Sequence, residues 1–356
     1  MFPYINLVRF AAAFWVLIFH AQLHFGDIAA LGVVGPIIGQ GVLAMSLFFM
    51  LSGFILSYRY LEFTEVGSWR AFYKARLRKL YPVYFFMGVV TIATLASPPE
   101  GLALVGGWGY YVWLLFVIFL FVFCLQAWFP VYFDVWNFGG SWSLSAEAFF
   151  YLLFPSLRNA LGAAEDRILV RVIYGAPVVV LALYAVLIAC LGSAVSPLVF
   201  YMLPIFRMPE FILGIAGYCY FVERKAGLGN FRIVCVLCLI AGVYFVYRIG
   251  DLPGGTEYGA LFVVPFLFLM VKLARPHEMP RTASLIFDYL GSVSYCLYIV
   301  QFGTVPLMVL LFDGFSVGTK WVCFIAANSV LAVLLHHLVE RPANLALHRA
   351  SRVANA

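Results

Sequence analysis

The first histidine in this chain lies inside an apolar run. The stretch from Asn6 to Phe25, NLVRFAAAFWVLIFHAQLHF, has the length and composition of a membrane-spanning helix, yet it carries Arg9 and His20. At 3.6 residues per turn, a separation of eleven positions returns to within about 20° of the same face, and at 1.5 Å per residue it covers about 16 Å. Arg9 and His20 therefore share one stripe, with His24 one turn beyond. Ionisable groups at membrane depth usually mark a pathway or a reaction site. An imidazole, which titrates near neutrality, can take a proton from a hydroxyl. The plainer alternatives are a positive-inside anchor for Arg9 and an imidazole bonded to a neighbouring helix for His20.

Three further groups have the right types and spacing. In FYKARLRKLYP, Phe72 to Pro82, the cations Lys74, Arg76, Arg78 and Lys79 fall just before an apolar run, with Arg76 and Lys79 one turn apart. Such a cluster either sets topology and attracts anionic lipid or clamps phosphate groups of a soluble donor, for which Arg forks and Lys point charges are suited. In NFGGSWSLSAEAFFYLLFP, Asn137 to Pro155, the spacing has Gly139 and Gly140 break the chain and Ser141 cap a helix opened by Trp142. Ser143, Ser145 and Glu147 follow two apart. A lone carboxylate in lipid costs about 2.5 to 3.5 kcal/mol or more, so Glu147 needs a partner. In FRMPEFILG, Phe206 to Gly214, Arg207 and Glu210 stand three apart on one helix face and can pair.

The elements that must position these residues are membrane helices. With 65% hydrophobic, 18% aromatic and only 11% charged residues, the chain lies far outside soluble norms. Apolar runs long enough for a hydrocarbon core of roughly 30 Å are read at 6–25, 37–58, 80–97, 109–128, 172–191, 203–222, 233–247, 258–271, 294–312 and 321–339. The expected fold is an all-α integral membrane bundle of about ten transmembrane helices. An additional segment, 142–155, is short and holds Glu147; it dips into the membrane and returns, lies buried in the bundle, or itself crosses while the preceding stretch crosses twice or not at all. One transmembrane domain over 1–342 and a short cytoplasmic tail over 343–356 are expected.

Lys and Arg are distributed unevenly between the connections, and cytoplasmic loops collect positive charge. Arg59, Arg70, Lys74, Arg76, Arg78 and Lys79 follow the second span, whereas the connections around Asp27, Glu100 and Val195 have neither Lys nor Arg. Basic connections also hold Arg158, Arg167 and Arg171, then Arg224, Lys225 and Arg232. Placing both termini in the cytoplasm puts nearly all of these inside. The first helix reads as retained, since it has an internal charge and no small-residue cleavage site after it. The seven cysteines fall inside apolar runs and read as small hydrophobes, with Cys235 and Cys238 as packing. No metal site and no nucleic-acid partner are expected. No internal repeat of the transporter kind is visible.

Taken in order, these motifs resemble the membrane-bound acyltransferase type 3 family, bacterial integral-membrane enzymes that O-acylate sugars in surface polysaccharides, peptidoglycan, lipid-linked glycans and some macrolides. Arg9 and His20 reproduce its first-helix signature of Arg, ten residues, His, and GVLAMSLFFMLSGFILS is similar to its second-helix pattern. FYKARLRKLYP resembles its basic third-helix motif, with Arg76 and Lys79 on the motif positions and Ala75 where a further Arg is common. WSLSAEAFFYLLFP places Glu147 on the acidic position, and FRMPEFILG, LGSVSYCLYIVQF and VERP match later landmarks. One departure stands out: Gln301 occupies the place after S-Y-x-L-Y where many members carry a histidine.

The resemblance implies acyl transfer, most often of acetyl, from cytoplasmic acyl-coenzyme A to a hydroxyl of a cell-surface or lipid-linked sugar, in the bacterial inner membrane. The donor would meet Arg9, Arg76, Arg78 and Lys79. His20 would deprotonate the acceptor or carry the acyl group, and Glu147 would orient the imidazole, bind sugar hydroxyls or protonate a leaving group. Trp142, Ser143, Ser145, Arg207 and Glu210 would meet the acceptor. A multi-pass transporter of a polysaccharide or lipid-linked substrate, or a sensor built on the same fold, are the other classes.

Overall fold

The computed structural model describes residues 2–346 apart from 27–31, 33, 62, 64–65, 92–106, 137, 193–195, 249–255, 276–277 and 313. Among the described residues all regular structure is helical. The helices are α1 (Pro3–Phe25), α2 (Gly35–Ile38), α3 (Leu43–Arg59), α4 (Val66–Val90), α5 (Gly107–Val122), α6 (Phe138–Ala163), α7 (Asp166–Leu191), α8 (Ser196–Met202), α9 (Pro204–Gly217), α10 (Phe231–Arg248), α11 (Thr256–Leu273), α12 (Arg281–Leu311) and α13 (Val317–Leu335). α1 starts on Pro3, whose fixed φ suits a first turn, and stops at Gly26 with φ of 87°. The Ser316 side chain caps α13 by accepting from the Thr319 amide.

Among the described residues, five helical stretches are long and apolar enough to cross a membrane: Pro3–Phe25, Asp166–Leu191, Pro204–Glu223, Arg281–Val305 and Val317–Ala346. Leu43–Arg59, Trp108–Val122, Phe231–Tyr244 and Leu261–Leu273 are shorter apolar helices. The outer faces of α7 and α10 expose Val178, Val186, Ile233, Leu237 and Ile240. Faces of that kind would be a liability in water and suit contact with lipid. This is a multi-pass membrane protein.

Several boundaries differ from the sequence reading. The 37–58 run is divided, because turns over Gly39–Val42 separate α2 from α3. The basic residues Arg70 to Lys79 sit inside α4 rather than in a loop; Arg, Lys, Ala and Leu are good helix formers, and hydropathy cannot see a helix that is polar at one end. The run read at 109–128 ends as a helix at Val122 and continues in single turns at Gln126–Trp128 and Pro130–Tyr132. The segment 142–155 belongs to one continuous helix, α6, that does not turn back; it is largely buried, as one of the sequence readings has it. Gly139 and Gly140 lie within α6 and do not break it. A Cβ on Gly140 would lie 1.9 Å from the Phe302 ring, so that glycine serves a close helix approach. Arg158, read as a loop cation, is buried in α6 with its guanidinium 2.7 Å from Glu223. The last helix runs past 342 to Ala346. The connections around Asp27, Glu100 and Val195, and the tail beyond 346, lie outside the described residues.

α1 packs along α12, and α3 along α9. Small residues set the second contact, as is common where lipid supplies no hydrophobic drive between helices. A Cβ on Gly53 would sit 2.2 Å from the Phe211 carbonyl oxygen, and one on Gly214 would sit 2.0 Å from that of Met50. Gly214→Val is therefore expected to destabilise the bundle by about 1 to 3 kcal/mol or more, because backbone rather than a yielding side chain is struck. A thermal-shift measurement on the detergent-purified protein should show Tm several degrees lower; an unchanged Tm would mean that α3 and α9 do not touch there.

Candidate active site

Two cavities stack along α1. The larger, about 200 Å³, is lined by Arg9 from α1, Arg59 from α3, Arg76 and Lys79 from α4, Glu147 and Tyr151 from α6, and Tyr295 from α12. Four basic side chains thus face one carboxylate. The Lys79 ammonium is already neutralised by the buried Glu340, which also accepts from His336 Nδ1 at 2.7 Å and from the Cys296 thiol at 3.2 Å. Among the described residues, Arg9, Arg59 and Arg76 have no carboxylate in ion-pair contact. Arg76 rests against the rings of Tyr60 and Phe72, and its buried Nε has no hydrogen-bond partner. Glu147 instead accepts from the Tyr151 hydroxyl at 2.8 Å, and Ser52 donates to that hydroxyl at 3.4 Å. Arg9 and Arg76 are half-buried and Arg59 is exposed, so the cavity presents an excess of positive charge to which an anionic group is suited.

The smaller cavity, about 150 Å³, contains His20 among Val16, Phe19, Leu23, Phe133, Trp142, Tyr201 and Phe302. His20 Nδ1 lies 2.7 Å from Gln301 Oε1. The Gln301 amide cannot be turned over, because its Nε2 donates to the carbonyls of Tyr298 at 3.0 Å and Leu297 at 3.4 Å. Its oxygen therefore faces His20 and can only accept, which puts the imidazole proton on Nδ1 and leaves a lone pair on Nε2. The ring is held further by Phe302, edge-on at 5.1 Å between centroids. An imidazole fixed in this way is a ready proton acceptor in an apolar room.

Met45 and Tyr298 line both cavities and form the wall between them. The Tyr298 hydroxyl meets Ser143 Oγ at 2.7 Å, the Gly140 carbonyl at 3.2 Å and Met45 Sδ at 3.5 Å. Arg9 and His20 do lie on one side of α1, but they face different rooms.

The structure brings together Arg9, Arg76, Lys79, Ser143 and Glu147 in the larger cavity and His20 with Trp142 in the smaller. It does not bring in the rest of the residues singled out from sequence. Arg78 donates to the Lys74 carbonyl and lines neither cavity, since two positions along a helix point nearly opposite ways. Ser145 donates to the Cys124 carbonyl and accepts from the Ala127 amide, holding the turn after α5. Arg207 and Glu210 form a buried pair at 3.1 Å behind the wall, with the guanidinium also on Ser46 and over the rings of Phe49 and Tyr201. Sequence reasoning missed Met45, Tyr151, Tyr298 and Glu340. All four stand inside motifs singled out from the sequence, but nothing local shows that Met45 meets Tyr298 or that Glu340 reaches back to α4.

The comparisons with known proteins show the family. An acyltransferase domain family matches residues 2–337. The chain is similar to the acyltransferase MdmB of Streptomyces mycarofaciens, at 29% identity over 381 aligned residues that cover 99% of this chain and 94% of the relative. No solved structure matches it. A match over nearly the full length, on a helical bundle with a cation-lined cavity beside a poised imidazole, gives the conclusion that this chain belongs to the acyltransferase domain family and is an acyltransferase of the membrane.

Proposed function

We propose that the protein moves a short acyl group, acetyl in the first place, from acyl-coenzyme A to a hydroxyl of a cell-surface or lipid-linked sugar. The observation that carries this reading is the larger cavity, which Arg9, Arg59 and Arg76 line together and where, among the described residues, none of the three has a carboxylate in ion-pair contact. The phosphates of the donor would neutralise them, and the thioester arm would run between Ser52, Ser143 and Tyr298 toward the wall. The acceptor hydroxyl would lie against His20. Its oxygen forms the new bond to the thioester carbonyl carbon while its proton passes to His20 Nε2. The tetrahedral intermediate then collapses with loss of the carbon–sulfur bond, and the coenzyme A thiolate takes the proton back. Imidazolium formed in this step is stabilised by Gln301 Oε1 on Nδ1. Phe133, Trp142 and Tyr201 offer rings on which a sugar face can stack.

In this reading the Arg9 end of α1 faces the cytoplasm, both termini are cytoplasmic, and about ten helical segments cross the bacterial inner membrane. Transfer of radiolabelled acetyl from acetyl-coenzyme A to envelope glycan, in membranes with and without the protein, tests it, and mass spectrometry of the glycans identifies the acceptor. Label should appear in glycan only with the protein present; equal labelling without it defeats the reading. Arg76→Ala removes a charge-assisted contact to phosphate, so KM for acetyl-coenzyme A should rise roughly 10- to 100-fold. An unchanged KM would remove Arg76 from the donor site.

A further inference from the structure

On the acyl-coenzyme A reading, the thioester and the hydroxyl occupy different rooms, and among the described residues Met45 and Tyr298 are the ones that line both. We propose that Met45 and Tyr298 form an aperture that selects the length of the transferred acyl group, admitting two- and three-carbon chains and rejecting chains of six carbons. The two sides of the aperture differ in kind. Tyr298 is the fixed side: its hydroxyl is tied to Ser143 and to the Gly140 carbonyl, and its ring packs on Phe302 and Phe48. Met45 is the yielding side, because an unbranched thioether has several rotatable bonds and fills irregular gaps. The Met45 sulfur touches the Tyr298 hydroxyl at 3.5 Å, so the wall is closed when the methionine lies in this rotamer.

For the carbonyl carbon to reach the His20 side, the acyl group must displace the Met45 thioether and take its place beside Tyr298. The room beyond is only about 150 Å³ and must also receive the acceptor hydroxyl. Each added methylene therefore competes with the acceptor for space, and pockets that discriminate on one methylene do so by about 10- to 200-fold. Met45→Ala deletes three heavy atoms from the yielding side and leaves the tied side intact.

The test uses purified protein with acetyl-, propionyl-, butyryl- and hexanoyl-coenzyme A, host envelope glycan as acceptor, and kcat/KM for each donor. The hexanoyl-to-acetyl ratio is the readout, since it is independent of how much protein folds. For the wild type it should lie below about 1 in 100, and Met45→Ala should raise it at least tenfold. Met45→Leu, which keeps the volume, should leave the ratio within about threefold. Met45→Val, a milder truncation, should move it in the same direction as alanine and carries the test if Met45→Ala does not accumulate. Wild-type use of hexanoyl-coenzyme A as readily as acetyl-coenzyme A, or a ratio that Met45→Ala and Met45→Val leave unchanged while acetyl transfer proceeds, would overturn the aperture alone. Absence of transfer by the wild type from every donor would overturn the acyl-coenzyme A reading and the aperture with it.

Discussion

Replacing His20 by alanine should reduce acetyl transfer by about 10²- to 10⁴-fold, the usual range for loss of a positioned general base. The imidazole lines the smaller cavity and keeps a lone pair on Nε2, since Gln301 commits the proton to Nδ1. The loss should fall on kcat, because in the proposed reading the donor phosphates would bind in the other cavity, which Arg9, Arg59 and Arg76 line. His20 is only partly buried, so its removal should not unfold the bundle, and the amount of solubilised protein should match the wild type. Steady-state kinetics on equal amounts of protein checks this. Undiminished kcat would remove His20 from the reaction.

The second large effect belongs to Gln301. Gln301→Leu should lower kcat by tens- to hundreds-fold while leaving KM for the donor near its wild-type value, because the substitution removes the group that fixes the tautomer and orientation of His20, and Gln301 does not line the cavity with the arginines. The precedent in mechanism is the loss seen when a triad carboxylate that fixes its histidine is replaced, which reaches about 10⁴ in chymotrypsin-like proteases. A neutral amide stabilises imidazolium less than a carboxylate does, so a smaller factor is expected here. Gln301→Glu restores an acceptor opposite Nδ1 and should recover most of the lost rate, although its second oxygen can no longer donate to the Tyr298 and Leu297 carbonyls. A purely structural role for Gln301 would give the opposite result, with leucine tolerated as well as glutamate.

What the sequence alone could show follows from how local each feature is. The shared stripe of Arg9 and His20 and the Arg207–Glu210 pair depend only on helical periodicity, and both arrangements are present. The multi-pass character follows from composition. The division of the stripe between two rooms was not legible. It depends on Met45 of α3 meeting Tyr298 of α12 across some 250 positions of chain, and no pattern within either helix encodes that meeting. Gln301 was visible as a departure from the resemblance, but its function needs the two backbone carbonyls that orient its amide. Gly139 and Gly140 were misread because a glycine pair signals a break as readily as a close approach, and the deciding neighbour, Phe302, lies on another helix. Arg158 looked like a surface cation because its partner Glu223 is far along the chain.

The central claim is that a thioester supplied on the cationic side is consumed to esterify a hydroxyl on the imidazole side. The purified protein in proteoliposomes, given labelled acetyl-coenzyme A and extracted envelope glycan, tests it when free coenzyme A thiol and acetyl ester are measured together. One ester should form per thiol released, and both signals should vanish in His20→Ala. Movement of glycan across the vesicle membrane with no thiol released would contradict the account, because the same charges would then line a transport path instead of a reaction site.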